Sequence, residues 1–249
     1  MIIKNMLNKY SSSELENRKT LSHMLEKNPI DKKELIDNLG LFLNTKNFSR
    51  MLFFYEIYKQ FLDVEGCIME FGVRWGQNLS LLAAVRAMFE PYNVKRKIIG
   101  FDTFQGFVGT GAQDGKKTFF EKGGLSLPKN YEHFLNDILE VQENFNPVSH
   151  VKKFEIIKGD ASKTLKKYLK KERQTIVAFA FFDMDIYKPT KDCLKILTNY
   201  VTKGTIIAFD ELNCDYAKSV TNALKEVFDM RTIEIKRFSH ISKICYFKV

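Results

Sequence analysis

Acidic residues follow five short apolar stretches of this sequence, and their placement is the first feature that points to chemistry. The residues concerned are Glu70, Asp102, Asp160, Asp183 and the pair Asp210-Glu211. Each stretch is long enough for a β-strand and is separated from the next by a segment with helical spacing, which predicts a parallel sheet covered by helices. Right-handed crossovers then bring all the strand ends to one edge. Carboxylates crowded at one edge need cations, ribose hydroxyls or a metal ion beside them.

The acids of the second half of this sheet suggest a metal site. Asp183, Asp210 and Glu211 follow the fourth and fifth predicted strands. Three oxygen-donor side chains suit Mg²⁺, with water or substrate completing its coordination shell. The alternative is that these acids cap the helices that follow each strand, which is a common use of aspartate.

The first strand leads into a turn with two glycines and then into a helix. The strand is Cys67 to Phe71, and the helix runs from Asn78 to Met88. Between them stand Gly72 and Gly76, where glycine lets the backbone approach a ligand and the helix N-terminus offers free N–H groups. The G-x-x-x-G spacing differs from the G-x-G-x-x-G dinucleotide fingerprint. A tight turn without a ligand therefore remains an alternative.

The second strand and the loop after it indicate where a ligand would lie. Asp102 ends the strand Lys97–Asp102, and an acid at this place can bind ribose hydroxyls. The alternative is that Asp102 caps the turn that follows. The glycine-rich stretch 106–130 comes next, and a loop of this length in a compact domain is usually functional or disordered. We predict that it covers the substrate.

The composition is that of a folded domain. The chain has 249 residues, 45% of them hydrophobic, and its four cysteines form no C-x-x-C pair, which suits a reducing cytosol. No apolar run reaches the roughly 18 residues of a membrane span. The net charge of +9 permits a nucleic-acid partner. However, the lysines are spread along the chain, and the lysine-rich helix at 162–173 reads better as a solvated face. We expect a cytoplasmic protein without membrane or nucleic-acid partners.

Helices precede the sheet and two strands close it. Asp31 and Glu34 form a capping-box pattern, and Phe48–Leu62 predicts a second helix. We predict that residues 1–62 form a helical extension that caps the site or builds a dimer, with simple packing on the sheet as the alternative. Residues 63–249 would form the sheet domain. Thr232–Arg237 and Lys243–Val249 predict a closing antiparallel pair of strands.

Four motifs stand at the predicted strand ends. They are E-F-G-V-x-x-G from Glu70, F-D-T-F-x-G-F from Phe101, D-x-D-x-Y-x-P from Asp183, and the acid pair at 210–211. Together they resemble the macrocin O-methyltransferase family, whose members are class I S-adenosylmethionine-dependent sugar methyltransferases. The resemblance covers about residues 64–212. It implies an α/β Rossmann-like class I methyltransferase fold, with a seven-stranded, mostly parallel sheet that carries helices on both faces.

The resemblance also implies roles for single residues. The first-strand acid and the glycine turn would hold the methionine part of the cofactor, the second-strand acid its ribose, and the end of the third strand its adenine. Mg²⁺ would bind Asp183, Asp210 and Glu211, although Glu211 stands where the family more usually has Asp or Asn. The predicted cofactor residues are Glu70, Phe71, Gly72, Gly76, Asn78, Ser80, Asp102, Thr103, Phe104, Asp160, Ala161 and Asp183.

The implied reaction is an in-line displacement in which a substrate oxygen attacks the sulfonium methyl carbon. Mg²⁺ bound to the acceptor would lower the pKa of its hydroxyl, and a general base would complete the deprotonation. The base candidates are His133 and His150, which lie between strands two and three, and Asp185. The histidines fit structural roles as well, and Asp185 equally fits holding the Tyr187 turn. His240 and His23 are less well placed.

We therefore expect an S-adenosylmethionine-dependent, Mg²⁺-assisted O-methyltransferase that forms a homo-oligomer, such as a dimer. Its acceptor would be a hydroxyl of a carbohydrate or nucleotide-linked sugar, in surface-polysaccharide or natural-product biosynthesis. A binding or scaffold protein without catalysis is one alternative. An NAD-type oxidoreductase is another, which the missing fingerprint disfavours. A nucleic-acid methyltransferase would suit the charge, but no recognition motif accompanies it.

Overall fold

A six-stranded sheet forms the centre of the computed structural model, which describes residues 11–108, 110–114, 123–215 and 218–249. Its strands are β1 (Cys67–Phe71), β2 (Ile98–Asp102), β3 (Phe154–Lys158), β4 (Val177–Phe182), β5 (Val201–Asp210) and β6 (Ile244–Lys248). They lie in the order β3-β2-β1-β4-β5-β6, with β6 antiparallel to β5 and the others parallel. The order reverses between β1 and β4, and ligands of such sheets bind at that point, beyond the carboxyl ends of the strands.

Helices cover both faces of this sheet, as the alternating pattern predicts. They are α1 (Ser12–Glu26), α2 (Lys32–Leu35), α3 (Thr45–Phe61), α4 (Gln77–Phe89), α5 (Tyr131–Asn144), α6 (Ala161–Lys171), α7 (Tyr187–Leu197) and α8 (Lys218–Val227), with 3₁₀ turns at Leu39–Phe42 and Ala112–Asp114. Side chains of α3, α4 and α5 build one apolar core, and those of α6, α7 and α8 build another on the opposite face. Of the helices in the described ranges, none is long and apolar enough to cross a membrane.

The central strand β4 is buried on both faces because its sequence is apolar at every position. All six residues of β4 are buried, including Phe179, Phe181 and Phe182. A strand covered on both faces needs such a continuous run, in contrast to the alternating pattern of a half-exposed strand. Phe179 and Phe181 point to the core of α3, and Phe182 points to the opposite core. This strand therefore fixes the acids that follow it between two packed layers.

Within the described residues the sheet has six strands, so the prediction of a seven-stranded sheet is wrong. In place of a strand at 232–237, the described residues show one antiparallel bridge between Lys236 and Tyr246. Most side chains from 231 to 240 are exposed and none is buried. A strand at a sheet edge is stabilised mainly by a buried face, and this polar segment does not provide one.

The helix α3 belongs to the hydrophobic core, although the sequence places it before the sheet domain. Its Phe53, Phe54 and Phe61 are fully buried. The ring of Phe61 stacks on Phe179 of β4 with centroids 5.0 Å apart, and Phe54 meets Phe181 edge-on. The packing on the sheet that the sequence left as an alternative is thus observed for α3. By contrast, α1 has no buried residue. A domain division at residue 62 remains a prediction.

Candidate active site

A cavity of about 1530 Å³ lies at the carboxyl edge of the sheet, where the strand order reverses. The turn after β1, the ends of β2, β4 and β5, and the N-terminus of α6 all contribute to its wall. Asn17, Arg18 and Leu21 of α1 close it from the N-terminal side. Pockets for one small molecule usually measure roughly 300–1,000 Å³. This cavity therefore has room for a cofactor together with an acceptor.

A buried carboxylate lies at the β1 side of this cavity. Glu70 is fully buried, and its Oε1 accepts a hydrogen bond of 2.7 Å from the side-chain amide of Asn78. Burial raises the pKa of Glu70 well above its ordinary value. Its Oε2 has no hydrogen-bond partner among the described residues. Asn78 lines the cavity, so the pair fits the ammonium end of an amino-acid-like cofactor such as S-adenosylmethionine.

The two glycines after β1 are required by the backbone. Gly72 and Gly76 have φ of +92° and +81°, values that residues with a side chain rarely adopt. A Cβ on Gly72 would lie 2.1 Å from the carbonyl oxygen of Asp183, and one on Gly76 would lie 2.2 Å from the side chain of Leu135. The turn thus packs tightly against β4 and α5. Glycine is needed here for packing, whether or not a ligand also approaches.

Backbone N–H groups satisfy the acid at the end of β2. Asp102 accepts hydrogen bonds of 2.7 Å from the backbone N–H of Arg74 and 2.6 Å from that of Phe104. The capping role that the sequence left open is therefore present. Asp102 also lines the cavity, and a carboxylate has acceptor sites beyond these two bonds. Its ribose-binding role remains a prediction. Asp160 likewise caps α6 through the N–H of Ser162 and lines the cavity.

Two cations hold the acids of the other half of the site. The Nη2 of Arg50, in α3, lies 2.8 Å from Asp183 Oδ2, and its Nη1 lies 3.7 Å from Asp210 Oδ1. The Nζ of Lys243, just before β6, lies 2.5 Å from Asp210 and 2.7 Å from Glu211. Arg50 also donates a bond of 2.9 Å to the Asn78 oxygen. A continuous polar network therefore connects the β1 side of the cavity to the β5 side.

Burial changes the acid strength of the carboxyls in this network. Burial and the neighbouring Asp210 raise the pKa of Asp183 to about 7, against the opposing effect of Arg50. Burial and Asp183 likewise raise the pKa of Asp185 well above its ordinary value. In its ionised form, a carboxylate with a raised pKa is a stronger base than an ordinary aspartate. Asp183 and Asp185 are therefore the candidates for a general base beside the cavity.

The three acids predicted to bind Mg²⁺ do not fit a divalent ion in this arrangement. Asp183 is bonded to Arg50, and Lys243 bridges Asp210 and Glu211. Within the described ranges, no group of three His, Cys, Asp or Glu side chains is spaced to hold a metal. Mg²⁺ requires near-octahedral oxygen ligands at about 2.1 Å. Each of these carboxylates has at least one oxygen beside a protein cation, whereas Asp210 Oδ1, 3.7 Å from Arg50, makes no hydrogen bond among the described residues.

The structure brings some of the predicted residues to the cavity and leaves others away from it. Those that line it are Gly72, Asn78, Asp102, Thr103, Asp160, Ala161, Asp183, Asp185, Asp210 and Glu211. Glu70, Phe71, Gly76, Ser80 and Phe104 are not among the lining residues. His133 and His150 are exposed and also lie outside the lining. His240, considered less well placed, does line it.

Sequence reasoning missed Arg50 and Lys243, the two cations at the centre of the polar network. Arg50 stands in a helix otherwise dominated by aromatic and apolar residues, which is a weak signal that its side chain has a specific partner. Lys243 directly precedes a strand. In addition, Gly106, Phe107 and Val108 of the loop 106–130 line the cavity, and a substrate-covering role of this loop remains a prediction. Residues 109 and 115–122 of that loop lie outside the described part of the chain.

Comparison with known proteins identifies the family. No protein-family model and no curated protein matches the sequence. Among solved structures, the chain is similar to CalS11, a calicheamicin methyltransferase, with 35% identity and a TM-score of 0.94 over 96% of this chain and 93% of that one. This chain belongs to the O-methyltransferase family of CalS11. It is an S-adenosylmethionine-dependent O-methyltransferase, and the enzyme class predicted from the motifs is confirmed.

Two further structures refine the comparison. Apo CalS11, described as a TDP-rhamnose 3'-O-methyltransferase in calicheamicin biosynthesis, is 34% identical, with a TM-score of 0.85 over 96% of this chain and 95% of that one. The O-methyltransferase NovP is 19% identical, with a TM-score of 0.62 over 80% of this chain and 79% of the NovP chain. At this identity, the similarity supports the fold alone. Membership in the macrocin O-methyltransferase family is a more specific assignment than these similarities support, and it remains a prediction.

Proposed function

We propose that this O-methyltransferase transfers a methyl group to a hydroxyl of a nucleotide-linked sugar or another carbohydrate. The observation that carries the proposal is the continuity of the cavity, which joins Asp102 at the end of β2 to Asp183 and Asp185 after β4. Its volume of about 1530 Å³ suits two ligands side by side. The relative CalS11, which acts on TDP-rhamnose, supports a sugar acceptor.

The cofactor would occupy the half of the cavity between β1 and β3. Asp102 would bind the ribose, Asn78 and Glu70 the amino-acid end, and Asp160 and Ala161 would lie beside the adenine. When bound, S-adenosylmethionine supplies an electrophilic methyl group on a sulfonium. The unsatisfied Oε2 of buried Glu70 supports this orientation, because an ammonium group would give it a partner.

The acceptor would occupy the other half, beside Asp183, Asp185 and His240. Its hydroxyl oxygen forms a bond to the methyl carbon as the carbon–sulfur bond breaks, leaving a neutral thioether. The hydroxyl proton passes to a carboxylate, and Asp185 is our candidate because its pKa is raised and it lines the cavity. No step is assigned to Mg²⁺, because the acids implied as its ligands are paired with Arg50 and Lys243.

The test is methyl transfer from labelled S-adenosylmethionine to TDP-rhamnose and to free rhamnose, with products identified by mass spectrometry. Calorimetric titration with S-adenosylhomocysteine runs in parallel. We expect micromolar binding and one added methyl group on the nucleotide-linked sugar. Binding without transfer to any sugar would exclude the acceptor class. Absence of binding would contradict the proposed cofactor site.

Matched variants connect the result to the site. Asp185→Asn should lower the transfer rate by roughly 10²-fold or more and leave S-adenosylhomocysteine affinity nearly unchanged, because a general base acts in transfer and not in cofactor binding. Asp137→Asn removes an exposed aspartate outside the cavity and serves as the control. Equal rates in the two variants would exclude Asp185 as the base.

We propose a homo-oligomer as well. The N-terminal segment exposes apolar side chains at Ile36, Leu41 and Phe48, with 73%, 66% and 52% of their surface accessible. Clusters of exposed apolar residues often mark interaction surfaces. Light scattering of the full chain should report a mass above that of a monomer, and a monomer at micromolar concentration would exclude this interface.

A further inference from the structure

Two side chains carry positive charge to the acids at the ends of β4 and β5, and they come from distant parts of the chain. Arg50 reaches them from α3 and Lys243 from the residue before β6. The backbone fixes Lys243 in register, because the N–H of Glu211 donates to its carbonyl at 3.0 Å. Its Nζ then lies 2.5 Å from Asp210 and 2.7 Å from Glu211. The position of this ammonium follows from the β5–β6 pairing.

Arg50 is held on two sides. Its Nη2 lies 2.8 Å from Asp183, and its Nε donates to Asn78 at 2.9 Å. Its side chain is 17% exposed and that of Asp210 is 3% exposed. A guanidinium is a rigid planar donor, so bonds to two partners leave it little freedom to move aside.

These contacts put cations where a divalent ion would need ligand oxygens. A bound ion would have to displace Lys243 from two carboxylates and Arg50 from a third. Otherwise its double positive charge would lie close to both side chains, which is unfavourable in a partly buried site. The protein itself therefore supplies two positive charges to these three carboxylates.

We propose that Arg50 and Lys243 take the place of a divalent cation in this enzyme, so that its strand-end acids bind no metal and its methyl transfer needs none. The activity part of this inference rests on the function proposed above. Lys243 lines the cavity, and its ammonium has three N–H donors. Its contacts with Asp210 and Glu211 in the described chain leave one donor for an acceptor hydroxyl. This cation then orients the hydroxyl.

The first test measures metal binding directly and does not require activity. The full-length protein, stripped with EDTA and dialysed, is titrated with Mn²⁺ and followed by electron paramagnetic resonance, with Mg²⁺ calorimetry in parallel. We expect no saturable site below about 1 mM, a range in which weak protein sites for hard cations still bind. A saturable site of micromolar affinity that Mg²⁺ displaces would overturn the proposal.

Variants sharpen this test. Lys243→Ala removes the ammonium that pairs with Asp210 and Glu211 and should tighten Mn²⁺ binding by about tenfold or more, because a positive charge no longer opposes the ion at these carboxylates. Lys248→Ala removes an exposed lysine from the same segment and is the matched control, with no expected change. Lys243→Met keeps the side-chain volume and provides a second variant if the alanine variant does not fold. Equal metal binding in all these proteins at micromolar affinity would overturn the proposal.

The second test compares methyl transfer in EDTA and in Mg²⁺. We expect rates that agree within about twofold for the wild-type chain, whereas metal-dependent enzymes of this kind lose several orders of magnitude. A loss of more than about tenfold in EDTA, restored by Mg²⁺, would overturn the proposal. If no transfer occurs in either condition, the proposed function fails, and the Mn²⁺ titration still decides the metal question.

Discussion

The two halves of the sheet edge stabilise their acids in different ways. On the β1–β3 side, Asp102 and Asp160 accept hydrogen bonds from backbone N–H groups at most 28 residues away. On the β4–β5 side, the acids pair with the side-chain cations Arg50 and Lys243. The ion pair between Arg50 and Asp183 spans 133 residues. The first half is built by local turns, and the second is assembled from distant segments.

This difference matches the two roles proposed for the cavity: the β1–β3 half binds the cofactor, and the β4–β5 half carries out the methyl transfer. Backbone donors are fixed once the turn forms, which suits a half that must hold an invariant cofactor. Side-chain cations add charge and can respond to an acceptor, which suits the half in which a proton is transferred. The network through Asn78, whose oxygen accepts from Arg50 and whose amide donates to Glu70, joins the two halves.

The largest effect on the free energy of unfolding should come from removing Arg50, the cation that connects the two halves of the site. Arg50→Ala leaves the partly buried Asp183 without its cation and takes one of two cations from buried Asp210, and breaking a buried ion pair costs about 3–5 kcal/mol. Urea unfolding should show this loss. Arg173→Ala, at an exposed arginine, is the control and should change stability by less than about 0.5 kcal/mol. A similarly small loss of stability in Arg50→Ala would mean that the β4–β5 half of the site is not stabilised by its long-range ion pairs.

The turn of the first half should be nearly as sensitive. Gly76→Ala forces a side chain into φ of +81° and against Leu135, so we expect a loss of about 2–3 kcal/mol in the free energy of unfolding. Gly111→Ala has open space around its Cβ and should be close to neutral. Thermal or urea unfolding of the two variants compares them. Equal stabilities would show that the turn is not held by this packing.

Protonation of Asp183 should make the free energy of unfolding depend on pH. Its pKa in the folded protein, raised to about 7, lies above the unfolded value near 3.8, so the folded state binds the proton more tightly. The contribution of this group is thus fully present below about pH 4 and is lost as the pH rises through about 7. Relative to Asp183→Asn, the wild-type chain should lose on the order of 2 kcal/mol between pH 4 and pH 6. A constant difference in urea unfolding across that range would contradict the raised pKa.

The smallest effect is expected for cofactor affinity. Asp102→Asn keeps an acceptor oxygen for one backbone N–H but weakens a ribose contact, so S-adenosylhomocysteine should bind about tenfold less tightly, or about 1.4 kcal/mol. Calorimetry measures this change, with Asp137→Asn as the control. Unchanged affinity would remove Asp102 from the cofactor site and leave it only its capping role.

Much of the fold followed from local sequence. The run 177–182 is buried on both faces as its apolar residues predict, and α4 begins at Gln77, one residue from the predicted start. The capping by Asp31 was also predicted, and its side chain accepts from the N–H of Lys33. These features depend on neighbours within a few residues, which the sequence shows directly.

Other predictions were wrong because they depended on which parts of the chain pack against the segment concerned. The segment 232–237 alternates like a strand, yet it lacks a buried face and forms one bridge. The apolar spacing of residues 131–145 predicts a helix with Phe134 and Val141 buried, but 59% and 58% of their surface is exposed. Periodicity shows which residues share a face of a helix, whereas the layer packed against that helix decides which face is buried.

By itself, the sequence determined that acids end the strands of a parallel sheet and that those ends share one edge, because strand order and handedness follow general rules. Only the tertiary structure decided what neutralises them. Arg50 and Lys243 reach the same acids because α3 packs across β4 and β6 pairs with β5. Contacts between distant residues are set by the packing of whole layers. The sequence on either side of Arg50 or Lys243 therefore does not indicate which acids they pair with.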